Sequence, residues 1–167
     1  GWTTVIVPEA HGGMGMSLVA LCALVEETGR VALPSPFIAT ANASLVLREC
    51  HTPAANRLLS EIATGKTASL ASTPKSGSWL AADSDVELIA GKLTGSAWFV
   101  QDARKVDTFI VQAKTSNGSV LYEIPAGSEG LDIIADAIID LTRDQAHIHL
   151  NNVSVNDEQL LSDKACE

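Results

Sequence analysis

The stretch Gly65–Ser78 (GKTASLASTPKSGS) marks a change in the hydrophobic pattern of the chain. Before it, apolar residues recur at the three-to-four-residue spacing of helices, and after it they alternate in short runs with a period of two. The stretch itself contains a short apolar segment followed by a turn rich in proline, serine and glycine. The pattern predicts an α+β fold, with a helical part over residues 1–66 and a β part over residues 67–167.

Three helices are expected in the helical part. Ser17 is a typical N-cap, and Gly29 lies where the first helix should end. This helix is apolar nearly all round, which predicts burial on most of its sides. A second helix is expected over about residues 39–49. The third begins at Thr52-Pro53, an N-cap followed by proline at the first helical position.

Short runs rich in β-branched or aromatic residues make up the second part. They are Ala68–Ala71, Val86–Ile89, Ala97–Val100, Thr108–Ala113, Ser119–Ile124 and Ala146–Val155. The dipeptide Asn117-Gly118 is a strong hairpin signal. Several strands at close spacing with turns between them predict a small antiparallel β-barrel or sandwich.

Composition restricts the partners and the compartment. The chain has 167 residues, with 11 Lys+Arg against 20 Asp+Glu and a net charge of −9. This charge argues against a nucleic-acid backbone or an anionic membrane as the main partner. No apolar run is long enough to predict a membrane span. The cysteines, Cys22, Cys50 and Cys166, are widely spaced, which indicates reduced thiols and a cytoplasmic location.

Three groups of motifs follow one another along the chain. The first is Pro8-Glu9 with Gly12–Gly15 (GGMG) and Glu26–Arg30 (EETGR), the second is Ser72–Ser78 (STPKSGS), and the third is Gly91–Gly95 (GKLTG) with Phe99-Val100 and Val111–Ala113 (VQA). In their order and spacing they resemble the motifs of the acyl-CoA dehydrogenases, a family of flavoenzymes. The resemblance covers essentially the whole chain, but no segment resembles the C-terminal helical bundle of that family.

The resemblance implies an N-terminal helical part (1–66) and a flavin-binding middle β-domain (67–167). FAD is the implied cofactor, and the implied substrate is an acyl-CoA thioester that the family desaturates between its α and β carbons. The family's carboxylate base lies in the C-terminal bundle, so no catalytic residue is assigned and the chain alone is expected to be an inactive portion of the enzyme. Its expected partners are that bundle or a partner subunit, in a homo- or hetero-oligomer. Without the bundle, an exposed apolar face and self-association are expected.

The resemblance also implies roles for five residues. Ser72 and Thr73 match positions whose hydroxyl and backbone N–H groups contact the flavin ring. Phe99 matches the aromatic residue that lies along the flavin, and Gln101 stands where the family has Thr or Ser near it. Ser78 matches a position that helps to hold the CoA thioester. The alternatives are a turn closed by its own hydroxyl groups at Ser72, Thr73 and Ser78, and a core position for Phe99.

Two other kinds of function stay open. A flavin monooxygenase or oxidase has the same architecture but a different substrate. A non-catalytic partner subunit or binding module is favoured by the departures from the family motifs at Thr73, Trp79 and Gln101.

Glycines and histidines elsewhere have simpler interpretations. Gly12, Gly13 and Gly15 indicate a sharp turn rather than a phosphate-binding loop, because no Lys-Ser/Thr pair follows them. His147 and His149 lie on one face of a predicted strand without an obvious third ligand, which favours ordinary strand histidines over a metal site.

Two further side chains are assigned structural roles. Arg143 stands where the family has a polar or basic residue, and an ion pair with Asp140 or Asp144 is the favoured interpretation. Trp98 should lie on the opposite face of its strand from Phe99, in the core or at an interface.

Overall fold

The computed structural model describes residues 1–162, so Cys166 lies outside the described residues. The helices are α1 (Leu18–Arg30), α2 (Phe37–Glu49) and α3 (Pro53–Ala63). Both predicted N-caps are confirmed, because Ser17 Oγ accepts from the third residue of α1 at 3.4 Å and Thr52 Oγ1 accepts from the third residue of α3 at 3.2 Å.

Helix α1 is more exposed than its sequence suggests. Its buried residues are Leu21 and Thr28, while Val19 is 78% exposed. The expected burial on most sides is therefore wrong, because only one side of the helix packs on the N-terminal segment and α2. The helix also continues one residue past Gly29, to Arg30.

Eight strands follow the helices. They are β1 (Ala68–Ala71), β2 (Val86–Ile89), β3 (Lys92–Gln101), β4 (Thr108–Thr115), β5 (Gly118–Pro125), β6 (Leu131–Ala135), β7 (Gln145–Ser154) and β8 (Leu160–Ser162). Strands β6 and β8, which are short and only partly buried, were not predicted from the sequence. The predicted hairpin is confirmed, with Thr115 opposite Gly118.

The strands form one sheet in the order β6-β7-β3-β2-β4-β5-β8, with β1 paired to β4. Pairing is antiparallel except for β1–β4 and β2–β4, which are parallel. The predicted α+β class and mainly antiparallel sheet are confirmed. The barrel is not closed, however, because no pairing among residues 1–162 joins β6 to β8.

The helical part packs on one region of the sheet. Leu58 and Ile62 of α3 and Leu47 of α2 share an apolar cluster with Ile110 of β4 and Leu161 of β8. A second cluster fills the interior of the sheet, around β3, β4 and β7. The division at residues 66 and 67 stays a prediction, since the two parts are joined by this shared core.

Two cysteines fall within the described residues. Cys22 is exposed on α1, whereas Cys50 is buried after α2 and its thiol lies 3.3 Å from the carbonyl oxygen of Val46. Among residues 1–162, no helix has both the length and the apolar character needed to cross a bilayer. The cytoplasmic location stays a prediction.

Candidate functional site

The loop of residues 72–78 is fixed to the sheet on both sides of its proline. It leaves β1, and the carbonyl oxygen of Thr73 accepts a hydrogen bond from the Trp98 N–H at 2.8 Å. The Lys75 N–H then donates to the carboxylate of Asp85 at 2.7 Å. Gly77 has a φ of +76° and closes the turn. These backbone contacts give the loop a defined position beside β3.

Strand β3 contains a bulge beside this loop. Ala97 pairs with Ile148 and Val100 pairs with Ala146, so three steps on β3 match two on β7. The extra residue is accommodated at Phe99, which has a φ of +57°. As a result Ala97 and Val100 are both buried, while Phe99 is 46% exposed. The alternative core position for Phe99 is wrong.

Trp98 follows the buried Ala97 on β3 and is itself half-buried. Its ring stacks on the imidazole of His147, with centroids 4.3 Å apart. Trp98 does not belong to the apolar clusters of the described residues, so the core alternative is wrong, while the interface alternative stays a prediction.

The five predicted site residues line two adjoining cavities. One cavity, of about 310 Å³, is lined in part by Ser72, Thr73, Ser78 and Phe99. The other, of about 250 Å³, shares Ser72, Thr73 and Phe99 with the first and adds Gln101. The fold therefore brings together Ser72 and Gln101, which are 29 positions apart in the sequence.

The hydroxyl groups of Ser72 and Thr73 are available to a ligand. Neither makes a hydrogen bond to another described residue. A turn closed by these two hydroxyls is therefore not observed, and that alternative is wrong for them. Both side chains are half-buried, so each hydroxyl donor and acceptor is presented at the wall of the cavity.

Ser78 differs from these two residues. Its hydroxyl donates to Asp83 at 2.5 Å and accepts from the Leu80 N–H at 3.2 Å. These contacts agree with the alternative of a loop serine. The proposed contact of Ser78 with a substrate stays a prediction. It requires the hydroxyl either to accept a further hydrogen bond or to donate to the substrate in place of Asp83.

Two contributors to the site were missed in the sequence. Ala39 and Asn42 of α2 line the second cavity together with Phe99 and Gln101. They are three residues apart and hence on one side of the helix. Their spacing in the sequence is compatible with a shared site, but many pairs of residues on helices have the same spacing and line no site. Among the residues 1–162, no Asp or Glu lines either cavity.

The glycine-rich segment forms the expected sharp turn. The Gly15 N–H donates to the Val7 carbonyl oxygen at 2.9 Å. A Cβ on Gly13 would lie 2.0 Å from that same oxygen, so only glycine allows this close approach.

The histidines are held by neighbouring polar groups. His147 Nδ1 lies 2.9 Å from Asp136 Oδ1, and His149 Nδ1 lies 3.0 Å from Ser96 Oγ. No group of three or more metal-ligating side chains occurs in the described part of the chain. The interpretation as ordinary strand histidines agrees with these contacts.

The predicted ion pair of Arg143 is wrong within the described residues. Asp144 instead binds Arg104, whose Nε lies 2.7 Å from its carboxylate. Burial favours a higher pKa for Asp144, but the backbone and side-chain hydrogen bonds from Arg104 together outweigh it and lower the pKa below its usual value. Arg143 donates its backbone N–H to the Asp140 carbonyl oxygen at 3.2 Å.

Large apolar side chains are exposed next to the cavities. Trp79 is 100% exposed and Leu80 is 68% exposed, and both line the larger cavity. Apolar surface of this kind is typical of binding sites and interfaces. It agrees with the expected exposed apolar face, while self-association stays a prediction.

A protein-family model matches the helical part of the chain. The family described as "Acyl-CoA dehydrogenase, N-terminal domain" matches residues 1–66. Among curated proteins no sequence matches the chain significantly.

Solved structures share the fold over almost the whole chain. The electron transferring flavoprotein of Acidaminococcus fermentans is 21% identical with a TM-score of 0.83, over 98% of this chain and 47% of that one. The prolyl acyl carrier protein oxidase AnaB is 19% identical with a TM-score of 0.82, and the match covers 98% of this chain and 48% of AnaB. A chain of the ChsE4–ChsE5 complex of Mycobacterium tuberculosis is 22% identical with a TM-score of 0.78, and the match covers 92% of this chain and 43% of that chain.

The chain thus spans slightly less than half the length of these three structures. Residues 1–66 are therefore similar in sequence to the N-terminal domain of acyl-CoA dehydrogenases, and the helices and sheet together share the fold of these solved structures.

Proposed function

We propose that the two adjoining cavities form one face of a binding site for FAD in an acyl-thioester dehydrogenase. The observation that carries the proposal is the combination of an exposed aromatic ring, Phe99, with the hydroxyls of Ser72 and Thr73, which bind no other residue among 1–162, at one cavity wall. A flavin ring needs a flat apolar surface along its plane and hydrogen-bond donors at its polar edge. The residues present fit both needs.

Each residue has a distinct part in the proposed site. Phe99 packs along the ring system, and its lack of a polar group restricts it to stacking. Ser72 and Thr73 donate hydrogen bonds that stabilise negative charge on a reduced ring. Gln101, with an exposed side chain at the end of β3, supplies an amide where the family has a hydroxyl. A bound flavin would accept the hydride that leaves the β carbon of the substrate.

The proposed substrate is an acyl thioester, which lies next to the loop of residues 72–78. Gly77 allows a ligand to approach the backbone closely, and Ser78 is the proposed hydrogen-bonding residue. The base for the α-proton is proposed to come from outside the described residues, because the two cavities contain no described carboxylate. The proposed division is a helical part (1–66) and a flavin-binding β-domain (67–167), completed by a helical bundle or a partner subunit.

Titration with FAD tests the proposal directly. Flavin absorbance and fluorescence are followed with the chain alone and together with a C-terminal bundle from the family. We expect Phe99→Ala to weaken FAD binding about tenfold, which corresponds to the loss of one aromatic contact. Ile89→Ala is the matched control, since Ile89 is an exposed strand residue that lines neither cavity. Absence of binding in both preparations would contradict the flavin site.

An oxidase of acyl thioesters is a second candidate function. The observation that favours it is the likeness to the prolyl acyl carrier protein oxidase, at a TM-score of 0.82. Oxygen consumption with thioesters of CoA and of acyl carrier protein separates the two functions. A dehydrogenase passes its electrons to an external acceptor and consumes little oxygen.

A non-catalytic partner subunit is distinguished by its lack of bound flavin. A chain that enters a complex with a competent subunit but stays colourless supports this role over both enzymatic functions.

A further inference from the structure

One indole ring joins the loop of residues 72–78 to the sheet. The ring of Trp98 on β3 stacks on the imidazole of His147 on β7, with centroids 4.3 Å apart and planes 16° from parallel. The ammonium group of Lys75 lies 4.8 Å from the centre of the same indole ring. This distance is within the range of a cation–π interaction. The side chain of Trp98 therefore contacts both the loop and β7.

The backbone strengthens the same connection. The Trp98 N–H donates to the carbonyl oxygen of Thr73 at 2.8 Å. Both the main chain and the side chain of Trp98 thus hold the loop, at positions two residues apart. Since Thr73 also supplies a hydroxyl to the cavity, a shift of Trp98 moves a group in the site.

His147 gives the indole a fixed support. Its Nδ1 lies 2.9 Å from Oδ1 of Asp136, which directly follows β6, and its side chain is only 20% exposed. The imidazole is therefore held in one orientation, and the stacked indole has little freedom to rotate. A chain of contacts runs from Asp136 through His147 and Trp98 to Lys75.

The bulge of β3 explains why these contacts and the cavity occur together. The extra residue allows Phe99 to face the cavity while Trp98, its neighbour in the chain, lies beside Lys75 and His147. In a regular strand the residues at 97 and 99 would share one face. The bulge instead leaves Ala97 buried and Phe99 exposed.

We infer that Trp98 is a positioning residue, which holds the loop of residues 72–78 so that Ser72, Thr73 and Phe99 line one cavity. The contacts of Trp98 with Thr73, Lys75 and His147 form a clamp, and they exist without a ligand. The consequence of this clamp for a ligand rests on the proposed function, in which that ligand is FAD.

Trypsin cleavage after Lys75 measures the clamp without any ligand. In the wild type Lys75 is held at the indole, and cleavage requires local opening of the loop. We expect Trp98→Leu to accelerate this cleavage about tenfold, because the cation–π contact and the ring stack are both lost. Trp98→Phe should restore part of the protection. Trp2→Leu is the control, since Trp2 packs edge-on against Phe37 and lines neither cavity.

A milder variant keeps the test decisive if Trp98→Leu fails to fold. His147→Gln removes the stacking partner and leaves the indole, and we expect about threefold faster cleavage after Lys75. Cleavage no faster than in the wild type in the folded variants overturns the clamp.

FAD affinity separates positioning from general stability. We expect Trp98→Leu to weaken FAD binding about tenfold at a thermal midpoint close to that of Trp2→Leu. Unchanged FAD affinity in a folded Trp98→Leu variant overturns the positioning role. If the wild type itself binds no FAD, the proposed function fails, while the cleavage rates still decide the clamp.

Discussion

Nζ of Lys66 lies 2.8 Å from Oε1 of Glu123, a carboxylate on β5 that is 4% exposed. The guanidinium of Arg57 on α3 contacts the other carboxylate oxygen at 2.5 Å. The hydrogen bond to Glu123 is the main cause of a raised pKa for Arg57. One buried carboxylate thus links the helical part to the sheet, in addition to the apolar core that they share.

We expect Glu123→Gln to lower the free energy of unfolding by about 3 kcal/mol, because two cations lose a buried partner. Chemical denaturation at neutral pH measures this loss. The control is Glu87→Gln, which breaks an ion pair with Lys114 whose side chains are 49% and 39% exposed. That surface pair should contribute less than about 1 kcal/mol. Equal losses in the two variants would show that Glu123 does not link the two parts.

The ion pair of Asp144 predicts an acid-dependent loss of stability. Its pKa is lowered in the folded protein, because hydrogen bonds from Arg104 outweigh the opposing effect of burial. A carboxyl whose pKa is lower in the folded than in the unfolded state stabilises the protein above the unfolded value, which is about 3.9 for aspartate. This contribution is lost as the pH falls below that value and through the folded pKa.

We therefore expect Asp144→Asn to lower stability at pH 7 and to flatten the pH dependence of stability below about pH 4. Denaturant unfolding between pH 7 and the acid range gives both quantities. Asp132→Asn, which removes an exposed carboxylate on β6, is the matched control. An acid slope in Asp144→Asn as steep as that of the wild type counts against this assignment.

Local sequence signals predicted the elements whose determinants are themselves local. Ser17 and Thr52 were recognised as N-caps because a cap depends only on a side chain and the next three residues. The hairpin at Asn117-Gly118 was recognised for the same reason. The candidate site residues were predicted from the family resemblance, and the fold brings Ser72, Thr73 and Phe99 to one cavity.

Features set by distant contacts were not predictable in this way. The bulge at Phe99 depends on the register between β3 and β7, which are about 50 residues apart in the chain. The exposure of α1 depends on which elements cover it, and its composition alone suggested burial. Strand β6 is recognisable only through its pairing with β7.

The turn of residues 12–15 predicts a strong intolerance to substitution. A Cβ on Gly13 would lie 2.0 Å from the Val7 carbonyl oxygen, and this backbone atom cannot move aside as a flexible side chain could. We expect Gly13→Ala to destabilise the protein by about 3 kcal/mol, measured by denaturation. At Gly127 a Cβ would meet no atom within 4 Å, so Gly127→Ala should be neutral or stabilise by about 0.5 kcal/mol. Similar midpoints for the two variants would contradict the close contact at Gly13.

The exposed apolar residues beside the cavity predict self-association. Trp79 is 100% exposed and Leu80 is 68% exposed. Burial of such an indole ring in an interface removes apolar surface from water and therefore favours association. We expect the chain to form oligomers as its concentration rises in sedimentation velocity, and Trp79→Ser to raise the apparent dissociation constant about tenfold, as loss of an interface tryptophan does. Ile139→Ser is the matched control, because Ile139 is equally exposed but lies in the loop before β7. A chain that stays monomeric at every concentration, or an equal effect of both variants, would rule out an interface centred on Trp79.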